Sequence, residues 1–219
     1  MLLDRTGWTL IQHVHDRCLQ VPGVSRVVVA TDGAEIGAAV KSFGGEVIET
    51  SPELPSGTDR VAAACERLGL SDDHHIVNVQ GDEPFINPEQ INQITSLFNS
   101  EKVSIATLAK KIEDEVLITD ENSPKAIFDE NGIALNFCRI PPKYSTGKDY
   151  FKHIGIYGYL TETLAEICKL PPSENELKER LEQLRWLDNN YRIKVGITTY
   201  EGVSIDTPED IKKIKAEMG

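Results

Sequence analysis
Leu10, Ile11, Val14, Cys18 and Leu19 recur at helical spacing between residues 9 and 20, and Pro22-Gly23 closes the run. The pattern predicts an amphipathic helix there. Arg26-Val27-Val28-Val29-Ala30-Thr31 is a short apolar run of the kind that fills the middle of a parallel sheet. A helix is expected over 34–43, ended by Gly44-Gly45, and a weaker strand over 46–49. Ser56 can cap a helix over 57–68, and residues 75–80 read as a strand running straight into Gly81-Asp82-Glu83-Pro84. Pro88 opens a further helix reaching about residue 98, and a strand is expected over 103–109. Alternating strands and helices predict an α/β fold: a mostly parallel sheet covered by helices on both faces, the Rossmann-like arrangement.

The rhythm changes at Pro124. Residues 125–129 and 133–138 flank Asn131-Gly132, which predicts an antiparallel hairpin. A β-rich insertion over roughly 124–160 accounts for it, with a further strand over 152–160. Residues 174–189, carrying Leu177, Leu181, Leu184 and Leu187, read as one long helix, and 191–199 as a late strand. Thr207-Pro208-Glu209-Asp210 offers a capping hydroxyl, a first-turn proline and acids at the positive end of a last helix.

At 219 residues, 40% of them hydrophobic, the chain is expected to form a single domain over 1–219 with a proper core. Thirty-five acidic against 23 basic residues give a net charge of −12. That balance opposes binding to a nucleic-acid polymer, whose affinity rests on phosphate neutralisation by Lys and Arg. No apolar run approaches membrane-spanning length, and Met1-Leu2-Leu3-Asp4-Arg5 lacks the layout of a secretion signal, so a cytoplasmic protein is expected. Cys18, Cys65, Cys138 and Cys168 are scattered in apolar segments without a CxxC pair and read as buried free thiols.

Asn78-Val79-Gln80-Gly81-Asp82-Glu83-Pro84 sets an amide and two carboxylates past the carboxyl end of a strand, where open α/β sheets bind ligands. Gly81 would let the backbone turn sharply. Carboxylates there suit a hard cation such as Mg²⁺, and an ordinary polar turn is the competing reading. Ser204-Ile205-Asp206-Thr207-Pro208-Glu209-Asp210 is a second acidic cluster, explicable as a helix cap, or as a metal site if Asp206 faces Asp82.

Val77-Asn78-Val79-Gln80-Gly81-Asp82-Glu83-Pro84 resembles the VNVQGDEP signature of the cytidylyltransferases that activate the eight-carbon sugar acid Kdo (3-deoxy-manno-octulosonate). Further blocks agree in the family's order. Val28-Val29-Ala30-Thr31-Asp32 is similar to the family's second strand, Ser56-Gly57-Thr58-Asp59-Arg60 to its SGT(D/E)R turn, and His153-Ile154-Gly155-Ile156-Tyr157-Gly158-Tyr159 to its H(L/I)GIYGY strand. Leu181-Glu182-Gln183-Leu184-Arg185 matches LEQLR, and Asp206-Thr207-Pro208-Glu209-Asp210 matches DTPED.

The resemblance implies an enzyme that joins CTP to Kdo, releasing pyrophosphate and forming CMP-Kdo for lipopolysaccharide synthesis. It implies a homodimer made through the β-rich insertion. Asp82 and Asp206 would be the catalytic metal carboxylates, with Mg²⁺ between the α-phosphate and the attacking sugar oxygen. Arg139, His153, Tyr157, Glu182 and Gln183 match positions that grip the sugar acid. Read without the family, His153 and Tyr157 are a half-buried pair on one strand face, and Glu182 and Gln183 a solvated helix face. Ser56, Gly57, Thr58 and Gln80 would meet the cytosine and ribose, and Lys125 the nucleotide; a plain helix cap and a surface lysine are the alternatives.

Family members open with a strand and a loop of the form IPARxxSxRxPGKPL that cradles the triphosphate. Met1-Leu2-Leu3 is expected to match only the tail of that loop, so a shortened chain or a misplaced start codon is expected. Two further functions fit less of the pattern: a sialic-acid or other nonulosonate cytidylyltransferase, and an inactive remnant that binds a sugar acid or partner. The HIGIYGY and LEQLR blocks favour Kdo.

Overall fold
Thr9 opens the first helix, α1 (Leu10–Leu19): its side-chain oxygen accepts from Gln12 N at 3.2 Å, while Val14 and Cys18 face inward. The computed structural model describes residues 7–99, 103–142, 149–202, 204, 205, 207 and 210. Strands β1 (Val28–Thr31) and β2 (Glu46–Glu49) pair in parallel, joined through α2 (Ala34–Ser42). Helix α3 (Gly57–Leu68) begins at Ser56, whose Oγ accepts from Asp59 N at 3.2 Å, and ends at Gly69 in the left-handed region. These elements belong to one compact unit comprising Met1–Leu70, Val79–Asn92 and Gly202–Gly219. In that unit Ile205 is buried against Leu10 and Phe85.

The second unit comprises Ser71–Asn78 and Gln93–Glu201. Its strands are β3 (His75–Asn78), β4 (Ile105–Lys111), β5 (Lys125–Phe128), β6 (Ala134–Cys138), β7 (Phe151–Leu160) and β8 (Ile193–Thr198). They form one sheet in the order β6-β5-β7-β4-β8, with β3 also on β7. The ten-residue β7 pairs with β4 along one edge and divides the other between β3, at Tyr157–Leu160, and β5, at Lys152. All three contacts are antiparallel, whereas β4 and β8 are parallel. Strands β3, β4 and β8 therefore run one way and β7 opposes them, so the expected α/β fold holds with a mixed sheet.

The hairpin forms where Asn131-Gly132 predicts it. Asp129 Oδ1 accepts from Asn131 N and Ile133 N at 2.9 and 2.8 Å, and Gly132 takes φ 71°. Strand β7, within the stretch read as an insertion, lies inside this sheet, where helix α4 (Pro88–Leu97) approaches its Gly158. A Cβ on Gly158 would lie 2.5 Å from Ile94 and 2.6 Å from Phe98, which explains the glycine.

Two helical features depart from expectation. Helix α5 (Thr161–Ile167) follows β7 without a side-chain cap; Thr161 N and Glu162 N instead donate to the carbonyls of His74 and Asp72 at 3.0 and 3.3 Å. The helix expected over 174–189 is two, α6 (Glu174–Glu179) and α7 (Gln183–Asp188), separated at Arg180 with φ 55°. Leu181, Leu184 and Trp186 are buried while Leu177 is exposed, so the break turns the second half onto the core. Cys18, Cys65 and Cys138 are buried free thiols and Cys168 a half-buried one. Among the described residues no helix is long and apolar enough to cross a membrane.

Candidate active site
Strand β3 stops at Asn78, two residues before the expectation, so Gln80 and Asp82 sit in the turn that follows. Glu83 N donates to Gln80 O at 3.3 Å and Ile86 N to Glu83 O at 3.1 Å. The chain turns at Gly81 as expected, though without a left-handed φ, and a Cβ there would meet Ile11 at 3.4 Å. Asp82 is held from the far end of the chain. Ile205 N donates to its carbonyl at 2.8 Å and Ser204 Oγ to its carboxylate Oδ2 at 3.1 Å. Asp206 itself lies outside the described residues, while Thr207 Oγ1 accepts from Asp210 N, the capping hydroxyl predicted there, and Asp210 Oδ2 accepts from Thr207 N in return.

In the same unit, Gly57 and Gln80 come together: a Cβ on Gly57 would stand 3.6 Å from the Gln80 amide oxygen and 3.7 Å from its nitrogen. Ser56 Oγ donates to Asp59 Oδ2 at 2.6 Å as well as accepting from Asp59 N. Thr58 is buried. This helix start places backbone N–H groups and the positive end of the α3 dipole beside an amide side chain, which suits a polar, anionic ligand. Arg60, one turn on, binds Asp32 Oδ2 at 3.1 Å and the Thr50 hydroxyl, tying the ends of β1 and β2 to α3. Its partners are distant in sequence, which is why pattern alone did not single it out. Among the described residues no three His, Cys, Asp or Glu side chains converge as a metal cluster. Mg²⁺ asks for less, one or two carboxylates completed by phosphate and water oxygens.

The sugar-site candidates lie in the second unit. His153 and Tyr157, four residues apart on β7, would stand about 13 Å apart in a regular strand. Their rings instead lie 5.4 Å apart, because β7 bulges: Thr107 pairs with Tyr157, but Leu108 pairs with Ile154. The His153 ring meets Phe137 edge-on at 5.1 Å, and Tyr157 meets Trp186 edge-on at 5.2 Å. Burial lowers the His153 pKa from 6.5 to about 4, leaving a neutral imidazole. Burial pushes the Tyr157 phenol well above its ordinary value, and Tyr159 and the Glu182 carboxylate push it the same way. Glu182 thus acts on Tyr157, and Gln183, far from a solvated face, is 3% exposed with its Nε2 lacking a hydrogen-bond partner among the described residues.

Arg139 and Lys125 are joined to each other. Lys125 Nζ donates to Arg139 O at 2.8 Å and Asp120 O at 2.6 Å. Lys125 is buried, not a surface lysine, and burial lowers its pKa. The Arg139 guanidinium donates to the carbonyls of Glu179 (2.7 Å), Glu121 (2.7 Å) and Arg180 (3.3 Å), capping the end of α6. Five N–H donors on the group leave two beyond those three bonds. Thr107 and Trp186 complete this cluster and carry no motif by which a sequence reading finds them.

The family model described as Cytidylyltransferase matches residues 1–195. The chain belongs to the cytidylyltransferase family. This cytidylyltransferase is 46% identical to the 3-deoxy-manno-octulosonate cytidylyltransferase of Cytophaga hutchinsonii, over 97% of this chain and 88% of that protein. It is 47% identical to the Bacteroides thetaiotaomicron protein of the same name, over 94% and 86%. An 8-amino-3,8-dideoxy-manno-octulosonate cytidylyltransferase of Shewanella baltica is 41% identical, over 97% and 89%. Among solved structures, CMP:2-keto-3-deoxy-manno-octonic acid synthetase complexed with CTP superposes with a TM-score of 0.89 at 34% identity, over 97% of this chain and 88% of that one. The 4-diphosphocytidyl-2C-methyl-D-erythritol synthase of Anaerococcus prevotii, at 14% identity and a TM-score of 0.63, shares the nucleotidyltransferase fold.

Proposed function
We propose that this cytidylyltransferase joins CTP to Kdo, forming CMP-Kdo and releasing pyrophosphate, and that the product feeds lipopolysaccharide synthesis. The observation that carries the reading is its 46% and 47% identity to relatives named for that reaction, over nearly the whole chain. A sugar hydroxyl attacks the α-phosphorus in line and gives up its proton to solvent, forming the new P–O bond as the bond to pyrophosphate breaks. Such a displacement needs positioning and charge neutralisation more than covalent help.

Asp82 and Asp206 would hold Mg²⁺, which when bound supplies positive charge at the α-phosphate. Asp82 suits that role, since Ser204 engages one carboxylate oxygen and the other has no hydrogen-bond partner among the described residues. Ser56, Gly57, Thr58 and Gln80 would receive the cytosine and ribose. Tyr157, His153, Glu182 and Gln183 offer neutral and acidic groups to the sugar hydroxyls, and the two spare N–H donors of Arg139 suit its carboxylate. A cytoplasmic homodimer completes the reading, checked by sedimentation of the purified chain.

The 41% identity to the Shewanella baltica protein favours a second substrate, the sugar acid bearing an amine at carbon 8. Pyrophosphate release from CTP and Mg²⁺ with each sugar acid in turn decides between them. A higher kcat/KM for Kdo is expected, and a preference for the amino sugar or a nonulosonate would replace it. Asp82→Asn and Asp206→Asn should each lower kcat by at least about 10²-fold with an unchanged circular-dichroism spectrum. Retained turnover in either variant would reject the metal assignment.

A further inference from the structure
Thr107 is fully buried on β4, at the point where the pairing with β7 slips by two residues. Its hydroxyl oxygen lies 2.8 Å from Ile156 O, 3.2 Å from Ile154 O and 3.0 Å from His153 Nε2. A hydroxyl carries one proton, and both carbonyls can only accept. The Thr107 proton therefore goes to a carbonyl of the bulge. Were it given to His153 instead, the Thr107 oxygen would face both carbonyl oxygens with lone pairs alone inside a buried sheet. With the proton on the carbonyls, the contact to His153 is satisfied only when Nε2 carries hydrogen and the Thr107 oxygen accepts it.

We propose that Thr107 is a positioning residue that clamps the β7 bulge and fixes His153 as the Nε2–H tautomer, so that Nδ1 accepts a hydroxyl of the sugar acid. This rests on the Kdo reading above. Nδ1 has no hydrogen-bond partner among the described residues, and the ring is held in place by Phe137 and Tyr157. A neutral imidazole of this tautomer cannot serve as a cation for the sugar carboxylate, which leaves that task to Arg139. The sequence contains the histidine but not this choice of role, which depends on a threonine 46 residues away.

Nitrogen-15 NMR of histidine-labelled protein at pH 7 reads the tautomer directly, without substrate. A protonated Nε2 and unprotonated Nδ1 on His153 are expected; the opposite pattern, or an imidazolium, would overturn the assignment. Thr107→Val keeps the β-branched shape and removes the hydroxyl. It should raise KM for the sugar acid about tenfold, the equivalent of one hydrogen bond, leave KM for CTP within about twofold, and erase the tautomer preference. Thr107→Ser should restore both the sugar-acid KM and the tautomer. Equal changes in both KM values with the tautomer intact would reduce Thr107 to a packing residue and sink the proposal. Should Thr107→Val not fold, the wild-type spectrum and the serine variant still decide. A chain inactive toward every sugar acid, with the tautomer as expected, would instead reject the Kdo reading and with it the hydroxyl-acceptor role.

Discussion

His153 packs against Phe137 and Tyr157, and its pKa falls to about 4 because burial disfavours the imidazolium. The unfolded chain takes up a proton on this residue near 6.5, the folded chain near 4, so between those values the unfolded state binds more protons. Stability from this group is complete above about pH 6.5 and lost as pH falls toward 4. The full effect is on the order of 3 kcal/mol. Urea unfolding at pH 7 and pH 4.5 should show the wild type losing about 2 kcal/mol more than His153→Asn across that interval. Parallel losses would mean that His153 titrates normally in the folded protein. Asp82 poses a different residue-scale question. Its neighbours Ser204 and Ile205 approach from the other end of the chain, so the two acidic clusters read separately in the sequence meet at their flanks.

Helices α6 and α7 show how an element is decided by what it must reach. In a straight helix Glu176 and Arg185 would be separated by about 13 Å along the axis. Instead Arg185 donates to both Glu176 oxygens at 2.7 and 2.6 Å, closing a bidentate pair whose side chains are 11–12% exposed. The chain closes it by turning at Arg180 into the left-handed region, which costs a non-glycine residue about 1 kcal/mol. Arg180→Gly should therefore raise stability by about 0.5–1 kcal/mol in urea, and a fall would show that the Arg180 side chain contributes more than the strain removes. Glu176→Gln should lower stability by about 2 kcal/mol or more, since it leaves a partly buried guanidinium without its charge partner. The same logic separates the legible elements from the rest. Helix α1 was legible from its apolar spacing and the Pro22-Gly23 stop, and α3 because Ser56 caps it within three residues. Helix α5 was not, because its first N–H groups bond to Asp72 and His74, on the far side of the sheet sequence. The β7 bulge was equally hidden, although HIGIYGY marks its residues, because its clamp is Thr107 on another strand.

At the scale of the whole molecule, the candidate residues sort between the two compact units. Ser56, Gly57, Thr58, Gln80 and Asp82 belong to one, and Arg139, His153, Tyr157, Glu182 and Gln183 to the other. Lys125 is the exception that tests the sorting. Resemblance gives it to the nucleotide, yet it sits in the unit of the sugar candidates, with its ammonium on the carbonyls of Asp120 and Arg139. Removing that ammonium takes its donor from two part-buried carbonyls and frees the backbone at Arg139, and a misplaced guanidinium weakens its grip on a carboxylate. If Lys125 acts through Arg139, Lys125→Met should raise KM for the sugar acid several-fold, less than the loss of a whole charge-assisted bond would, and leave KM for CTP within about twofold. A direct contact to the nucleotide predicts the reverse split. Hydrogen exchange supplies the companion measurement: CTP alone should protect the first turn of α3 and the Gln80–Asp82 turn, and the sugar acid alone the β7 bulge and α7. Protection of Lys125 and its neighbours by CTP alone would return that residue to the nucleotide, because ligand binding slows exchange where it stabilises the local fold.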